Sequence, residues 1–302
     1  MYCPLPGWTA IRVSGVDAAA FLQGQFTNDV AGLVPAATQW NGWCSPKGRL
    51  IATFALKRSA AGDAFILAIP SDVAPAFVKR LRMFVLRAKV AIETLDGQRL
   101  IGTTAPGAAI EGPGISIEVL DLPEGRRIVV APGESAALIE EALGETALAA
   151  EPFAWDLLGI HAGIATITVP TQDLFVPQML NWELIGGVNF QKGCYPGQEI
   201  VARMQYLGRL KERLYRGHVA TLHVADGMPR PGQPVYGATF GAQACGTIVN
   251  AAPSSSDDGY DILAVIQVAS ATGDTIRLGV DPGAAVMRIE PLPYTVPAPK
   301  AA

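Results

Sequence analysis

The sequence predicts an α+β protein that ends in a separate all-β part, and two observations carry that prediction. Strand and helix signals alternate over roughly the first two hundred residues. From about residue 210 the pattern changes to short strands spaced by Gly, Pro and Asp turns. A chain of 302 residues, half apolar and 17% charged, has the composition of a globular protein with a large core.

The elements follow in order. "TAIRVSG" alternates as a strand, and Ser14 is placed to cap a helix over "GVDAAAFLQGQ". "TQWNGWC" and "RLIATFALKR" are strands joined by "SPKG", which has proline second and glycine fourth as a type I turn prefers, so the pair reads as a hairpin. "DAFILAIP" is a buried strand. Val73, Phe77, Leu81, Phe84 and Val85 mark one face of a helix. "AKVAIETL", "RLIGTTA", "GISIEVLD" and "RRIVVAP" return as strands, and "ESAALIEEALG" as a helix. "TQD" reads as a helix entry and "SSSDDG" as a solvated loop. The tail strands are "RLYRGHVA", "QPVYG", "ACGTIVNAA", "DILAVIQVA", "TIRLGV" and "AAVMRIEPL", which suit a small barrel or sandwich. The expected division is 1–208, in two sub-domains split near 95–150, then 209–292, with 293–302 as a frayed tail.

Several function classes lose support. A net charge of −4 gives no bulk attraction to nucleic acid. The basic stretches "KRLRMFVLRAK" and "RLKERLYR" read as helix and strand faces. The start "MYCPLPGW" lacks the basic and apolar run of a signal peptide, and no stretch approaches the ~20 apolar residues of a membrane span, so a soluble cytoplasmic protein is expected. Cys3, Cys44, Cys194 and Cys245 are too widely spaced for a structural zinc site or a disulfide framework. His161, His218 and His223 have no metal-ligand spacing, and no metal is expected. Neither a Walker sequence nor G-x-G-x-x-G occurs.

The informative stretch is "NFQKGCYPGQEIVARMQYLG", residues 189–208. Pro196 suits the first position of a helix whose apolar stripe is Ile200, Val201, Met204 and Leu207, with Gly208 as its C′ residue. Glu199 and Arg203 are four apart, in the better orientation for a helical ion pair. Cys194 therefore precedes a helix start and stands near Lys192, and both positive ends favour its thiolate. Gly193 and Gly197 flank it and allow a close approach or an unusual turn. The same spacing equally suits a structural cysteine buried at a strand-to-helix corner.

"KGCYPGQEIVAR" resembles the signature of the YgfZ family, K-G-C-(aromatic)-x-G-Q-E, at every fixed position: Lys192, Gly193, Cys194, Tyr195, Gly197, Gln198 and Glu199. "FLQGQFTNDV", "WCSPKGRLIATF" and "FVPQMLNWELIGGVNFQKGC" are similar to members of the same family, which shares a superfamily with the glycine-cleavage T-protein. The resemblance implies an α+β folate-binding region around a central hole, followed by a small C-terminal β-barrel. It also implies that tetrahydrofolate, or a one-carbon derivative, is the cofactor. The expected partners are iron–sulfur enzymes or their assembly proteins, including the radical enzyme that methylthiolates tRNA. Cys194 would be the working residue.

Compared with the T-protein, Thr53 falls where that transferase has its catalytic aspartate. "GIHAG" matches its "RLEAG", which puts His161 at the pterin-holding glutamate and Gly159 at the arginine. The asparagine expected near Ile69 or Pro70 is missing. An aminomethyl transfer needs a carboxylate to handle protons at the folate nitrogen, and Thr53 cannot serve. The resemblance therefore implies a retained pocket without the transferase chemistry. The alternatives are a one-carbon (aminomethyl) transferase and a partner-docking protein with a vestigial pocket. Trp40, Trp43 and Phe175 are candidate flat walls for a pterin, or else ordinary core. Asn28 and Asp29 are candidates for ligand contact, or for holding a turn. Lys47 and Arg49 could meet a glutamate tail or lie on the hairpin surface.

Overall fold

The computed structural model describes residues 1–106, 116–220, 227–255 and 258–297. His223 and parts of "GISIEVLD" and "SSSDDG" lie outside the described residues. The chain forms two compact units. One comprises Met1–Trp43, Ala52–Trp155 and Gly186–Pro196; the other comprises Cys44–Ile51, Asp156–Ile185 and Gly197–Ala302.

The first unit carries β1 (Tyr2–Pro4), β2 (Trp8–Ser14), α1 (Ala18–Gln23), most of β3 (Thr38–Cys44) and of β4 (Leu50–Arg58), β5 (Ala64–Pro70) and α2 (Ala74–Arg82). It continues with β6 (Ala91–Thr94), β7 (Gln98–Thr103), β8 (Glu118–Asp121), β9 (Arg127–Pro132) and α3 (Ala136–Gly144). One sheet has the order β3-β4-β5-β2-β6 and the other β1-β7-β9-β8. Strands β4 and β5 are buried almost residue by residue rather than alternately, as central strands covered on both faces are. Four rings seal this core: Phe26 and Phe54 have centroids 4.7 Å apart, and Trp43 and Phe77 4.9 Å apart. In the other sheet, Ile139 and Leu143 of α3 pack with Ile101 and Val129.

The second unit contains most of α4 (Phe153–His161), then α5 (Gln198–Tyr206) and six strands closed into a barrel. These are β10 (Glu212–Ala220), β11 (Pro234–Tyr236), β12 (Ala244–Pro253), β13 (Gly259–Gln267), β14 (Ile276–Arg277) and β15 (Val286–Glu290), in the order β10-β13-β12-β11-β14-β15. Closure removes the free strand edges that an open sheet would expose. Val219, Ile248, Ile262, Ile266 and Met287 fill the interior. Gly217 leaves little room for a side chain, since a Cβ there would stand 2.8 Å from the Arg288 carbonyl oxygen. The expected α+β architecture with a C-terminal barrel is the one observed.

Local expectations changed in five places. Ser14 ends β2 and caps nothing; Asp17 is the residue before α1, and its carboxylate instead accepts the Lys89 N–H at 2.7 Å. Helix α2 stops at Arg82, which leaves Phe84 outside the buried face. The end of "DILAVIQVA" turns into a short helix, α6 (Val268–Gly273). "TQD" is no helix entry, because Asp173 adopts φ +58°, a left-handed conformation. Tyr294, expected in a frayed end, donates its hydroxyl to the Gly163 carbonyl at 2.7 Å, and burial pushes its pKa up to about 12.

Arg213 at the start of the barrel is buried, with its guanidinium on the Gln178 carbonyl (2.9 Å), Asn181 Oδ1 (3.1 Å) and Glu183 Oε1 (2.5 Å). Burial raises the Glu183 pKa and outweighs the Arg213 hydrogen bond and charge, which lower it. Arg213→Ala would strand that carboxylate and is expected to cost about 3–5 kcal/mol. Urea midpoints would show it, and Glu183→Gln added to Arg213→Ala should recover part of the loss.

Candidate functional site

The segment carrying the cysteine belongs to the first unit and is tied to residues 23–28 by polar groups. Thr27 Oγ1 donates to the Gly187 carbonyl at 2.6 Å, and the Asn189 N–H donates to the Thr27 carbonyl at 2.9 Å. The Asn28 amide donates to the carbonyls of Gly186 (2.7 Å) and Trp40 (2.9 Å). The Lys192 ammonium then donates to three carbonyls, Gln23 at 2.6 Å, Phe26 at 2.5 Å and Asn28 at 3.1 Å. It also sits 5.2 Å over the Tyr195 ring. An ammonium has three protons, and all three are engaged here. Lys192 therefore anchors the loop and has no proton left for a hydrogen bond to the Cys194 sulfur. Burial lowers its pKa to about 8, against the pull of the Asp29 carboxylate.

Between the two anchors Lys192 and Tyr195, the latter 7% exposed, Gly193 and Cys194 face solvent. The buried-corner reading of Cys194 does not hold. Cys3, Cys44 and Cys245 are buried, and burial pushes the Cys44 and Cys245 thiols up. Gly193 needs neither a positive φ nor a tight space, as a Cβ there would meet nothing within 4 Å.

The helix after the cysteine belongs to the second unit, and its start is built against the hairpin tip. Gly197 is its N-cap, at φ +79°, so Pro196 precedes the cap instead of opening the helix. A Cβ on Gly197 would lie 2.4 Å from the Ser45 carbonyl oxygen and 2.6 Å from the Gly48 Cα. Gly48, at φ +69°, likewise has no room, with Ile200 Cβ 2.7 Å away. Ser45 donates to Asp173 Oδ1 at 2.6 Å, Arg49 donates to the Leu174 carbonyl, and the Leu50 N–H donates to the Phe175 carbonyl at 2.8 Å. Arg49 is thus a structural clamp. Among the described residues Glu199 and Arg203 make no ion pair; both are exposed, where solvent competes well with a single pair. Of the expected stripe only Val201 is buried, and Ile200 and Leu207 are exposed. Gln198 is half-buried.

The remaining predicted residues fall as follows. Asn28 is used up by backbone groups, since its Oδ1 also accepts the Asp29 N–H at 2.9 Å. Asp29 Oδ1 accepts from Gln23 Nε2 (2.9 Å) and from the Gly32 N–H (3.2 Å). Both residues hold turns. Trp43 is 1% exposed and faces Phe26 and Phe77, so it is core rather than wall. Trp40 and Phe175 are buried, as are Thr53 and Ile69. His161 closes α4 with its Nε2 2.7 Å from Asp261 Oδ2, and His218 Nδ1 lies 2.8 Å from Asp261 Oδ1. Burial works to raise the Asp261 pKa, but the two histidine hydrogen bonds and charges prevail and lower it.

Sequence reasoning passed over edge strand β3. Thr38 Oγ1, Gln39 Nε2 and Asn41 Nδ2, together with Gln25 Oε1, are sealed from solvent with no hydrogen-bond partner among the described residues. Asn41 is fully buried. Two amide side chains, Gln39 and Asn41, on one face of a strand otherwise flanked by tryptophans were the available signal. No described group of three or more His, Cys, Asp or Glu could hold a metal ion, and no described helix is long and apolar enough to cross a membrane.

The fold is that of a glycine-cleavage aminomethyltransferase. The crystal structure of glycine cleavage system aminomethyltransferase T from Bartonella henselae superposes with a TM-score of 0.75 at 16% identity, over 97% of this chain and 86% of that one. No family model matches the chain. The tRNA-modifying protein YgfZ of Colwellia psychrerythraea is 32% identical over 223 residues, 68% of either chain. That of Cronobacter sakazakii is 29% identical over 316 residues, covering 97% of this chain and 92% of the relative. An uncharacterized protein of Haemophilus influenzae is 31% identical over 230 residues, 74% of this chain and 76% of the relative. The chain belongs to the YgfZ family.

Two outcomes follow from this geometry. A thiol reagent such as iodoacetamide should label Cys194 alone in the folded protein and all four cysteines after denaturation, counted by mass spectrometry. The second concerns Lys192. The unfolded lysine holds its proton to its ordinary value of 10.5, while the folded one releases it at about 8. Between those limits the unfolded state binds more protons, so this group makes stability rise with pH. Urea midpoints of wild type and Lys192→Met from neutral to alkaline pH should diverge in favour of the wild type above pH ~8.

Proposed function

We propose that this protein acts in tRNA modification as a folate-binding accessory factor for iron–sulfur enzymes, with Cys194 as its reacting group. Membership of the YgfZ family, whose relatives carry the name tRNA-modifying protein, supports the role in tRNA modification. The observation that carries the finer reading is the exposed thiol of a complete K-G-C-Y-P-G-Q-E motif, fixed between the half-buried anchor Lys192 and the buried anchor Tyr195. A floppy loop would lose entropy each time it met a partner; a tethered one loses less. Gly193 leaves the approach to the thiol bare, which suits contact with a macromolecule. The partners in this reading are tetrahydrofolate and iron–sulfur enzymes or assembly proteins, in the cytoplasm. The folate region is residues 1–208, with the barrel at 209–292.

The residues fit a pterin at edge strand β3. Two amide donors on one face of β3 (Gln39 Nε2 and Asn41 Nδ2) and the Gln25 Oε1 acceptor are buried and unmatched; the Thr38 hydroxyl is unmatched too, on the opposite face of the strand. Each would otherwise cost about 1–3 kcal/mol. A pterin edge carries the complementary mixture of N–H groups, ring nitrogens and a carbonyl. Tetrahydrofolate, when bound, would supply nitrogens able to carry a one-carbon unit. Asn41 and Gln39, two positions apart on β3, would orient it. Thr53, buried where a transferase needs a carboxylate, cannot hold a proton for aminomethyl transfer, and this argues against the transferase alternative.

Cys194→Ala should fold normally and quench its tryptophan fluorescence with tetrahydrofolate as the wild type does. It should fail to restore tRNA methylthiolation in a strain lacking the gene. Full restoration would remove the thiol from the mechanism. Wild-type fluorescence that does not respond to high micromolar tetrahydrofolate would remove the folate.

A further inference from the structure

We propose that the face of the first unit built by α2 and the turn after it binds single-stranded RNA. The inference rests neither on Cys194 nor on folate. Residues 79–89, "KRLRMFVLRAK", hold five cations, Lys79, Arg80, Arg82, Arg87 and Lys89, and no carboxylate. That is five of the chain's 23 cations in eleven residues of a protein whose net charge is −4. The sequence alone explains them as a solvated helix face. The structure adds two features that a solvated face does not need.

The first is apolar exposure among the charges. Because α2 stops at Arg82, the turn pushes Met83 (68%), Phe84 (40%) and Leu86 (89%) into solvent. Leu86 does so at φ +44°, a conformation that disfavours a branched side chain. Phe84 is held edge-on to Trp43, with centroids 6.2 Å apart, so its ring is fixed but part of it remains open. Exposed large apolar residues grouped in one place mark an interaction surface.

The second is a cleft of about 540 Å³ along the same helix. Lys79 and Arg82 stand on its α2 wall, with the hydroxyls of Thr9, Ser71 and Thr94 and one carboxylate, Asp96, also lining it. Cations and hydroxyls suit a phosphate, and a carboxylate in the same cleft suits the amino group of a base. Single strands are held without strict sequence preference by cations that meet phosphates and by aromatic rings on which bases stack. Here the cations of the cleft and Phe84, which packs on Trp43 of β3 outside the cleft lining, offer both along α2. A purely anionic partner such as an acidic peptide would leave Asp96 repelling it and Phe84 unused.

The test is fluorescence anisotropy with a labelled oligouridylate of about 12 nucleotides, a length within the usual site sizes. A polyglutamate peptide and phosphatidylserine vesicles serve as the alternative anions. Three phosphate contacts predict a salt slope near −2, a roughly 20-fold loss of affinity between about 50 and 200 mM salt. Lys79→Glu with Arg82→Glu should weaken binding more than tenfold and flatten the slope. Phe84→Ala should weaken it about fivefold or more and leave the slope alone. Arg82 also donates to the Ile92 carbonyl at 2.6 Å, so Arg87→Glu with Lys89→Glu, both exposed, is the paired variant should the first misfold. Wild-type affinity in the folded variants, no binding by the wild type, or tighter binding of polyglutamate or vesicles than of RNA would overturn the proposal.

Discussion

A half-buried ammonium, satisfied by three backbone carbonyls, organises this molecule around its cysteine. Lys192 reaches from one side of the motif to the Gln23, Phe26 and Asn28 carbonyls, which lie in the turn that follows α1. Those carbonyls would otherwise need water, and the ammonium would otherwise be desolvated without compensation. The bargain is mutual, and it fixes the backbone on both sides. Tyr195, under the same charge, fixes the residue after Cys194. The thiol itself takes no part in the lock. Exposure and rigidity thus belong to different residues of one short motif.

The glycines of the motif divide in the same way. Gly197 is demanded by backbone geometry, with a positive φ and the Ser45 carbonyl where a Cβ would be. The hairpin tip and the start of α5 meet through Gly48 and Gly197, a contact that any side chain at either position would open. Gly193 is demanded by nothing inside the chain. In the second unit, Asp261 bridges His161 on α4 and His218 on β10.

Much of the architecture was legible because it depends on period and punctuation. Val73, Phe77 and Leu81 bury one face of α2, and the tail strands between Gly and Pro turns close as a barrel. "SPKG" forms its turn, with the Gly48 N–H on the Ser45 carbonyl at 2.9 Å. The failures are equally physical. Ser14 and Pro196 have the chemistry of a helix start, yet β2 runs through Ser14 and a left-handed Gly197 intervenes after Pro196. Glu199 and Arg203 have the spacing of a pair and too much water around them to form it. Lys192 was legible as a charge beside a thiol, but its partners are about 165 residues away in sequence, beyond the reach of any local pattern.

The sequence by itself determined the class of fold, the presence of a C-terminal barrel, and the identity of the one short motif that distinguishes this chain. Those follow from hydrophobic period, turn chemistry and a string of fixed residues, all local quantities. Only the tertiary structure decided that Cys194 is open while the other three thiols are sealed, that Lys192 is an anchor, and that Trp43 belongs to the core. It also placed exposed apolar residues among the cations that follow α2. Burial and hydrogen-bond partners are set by what packs from distant parts of the chain, and no spacing within a segment encodes them.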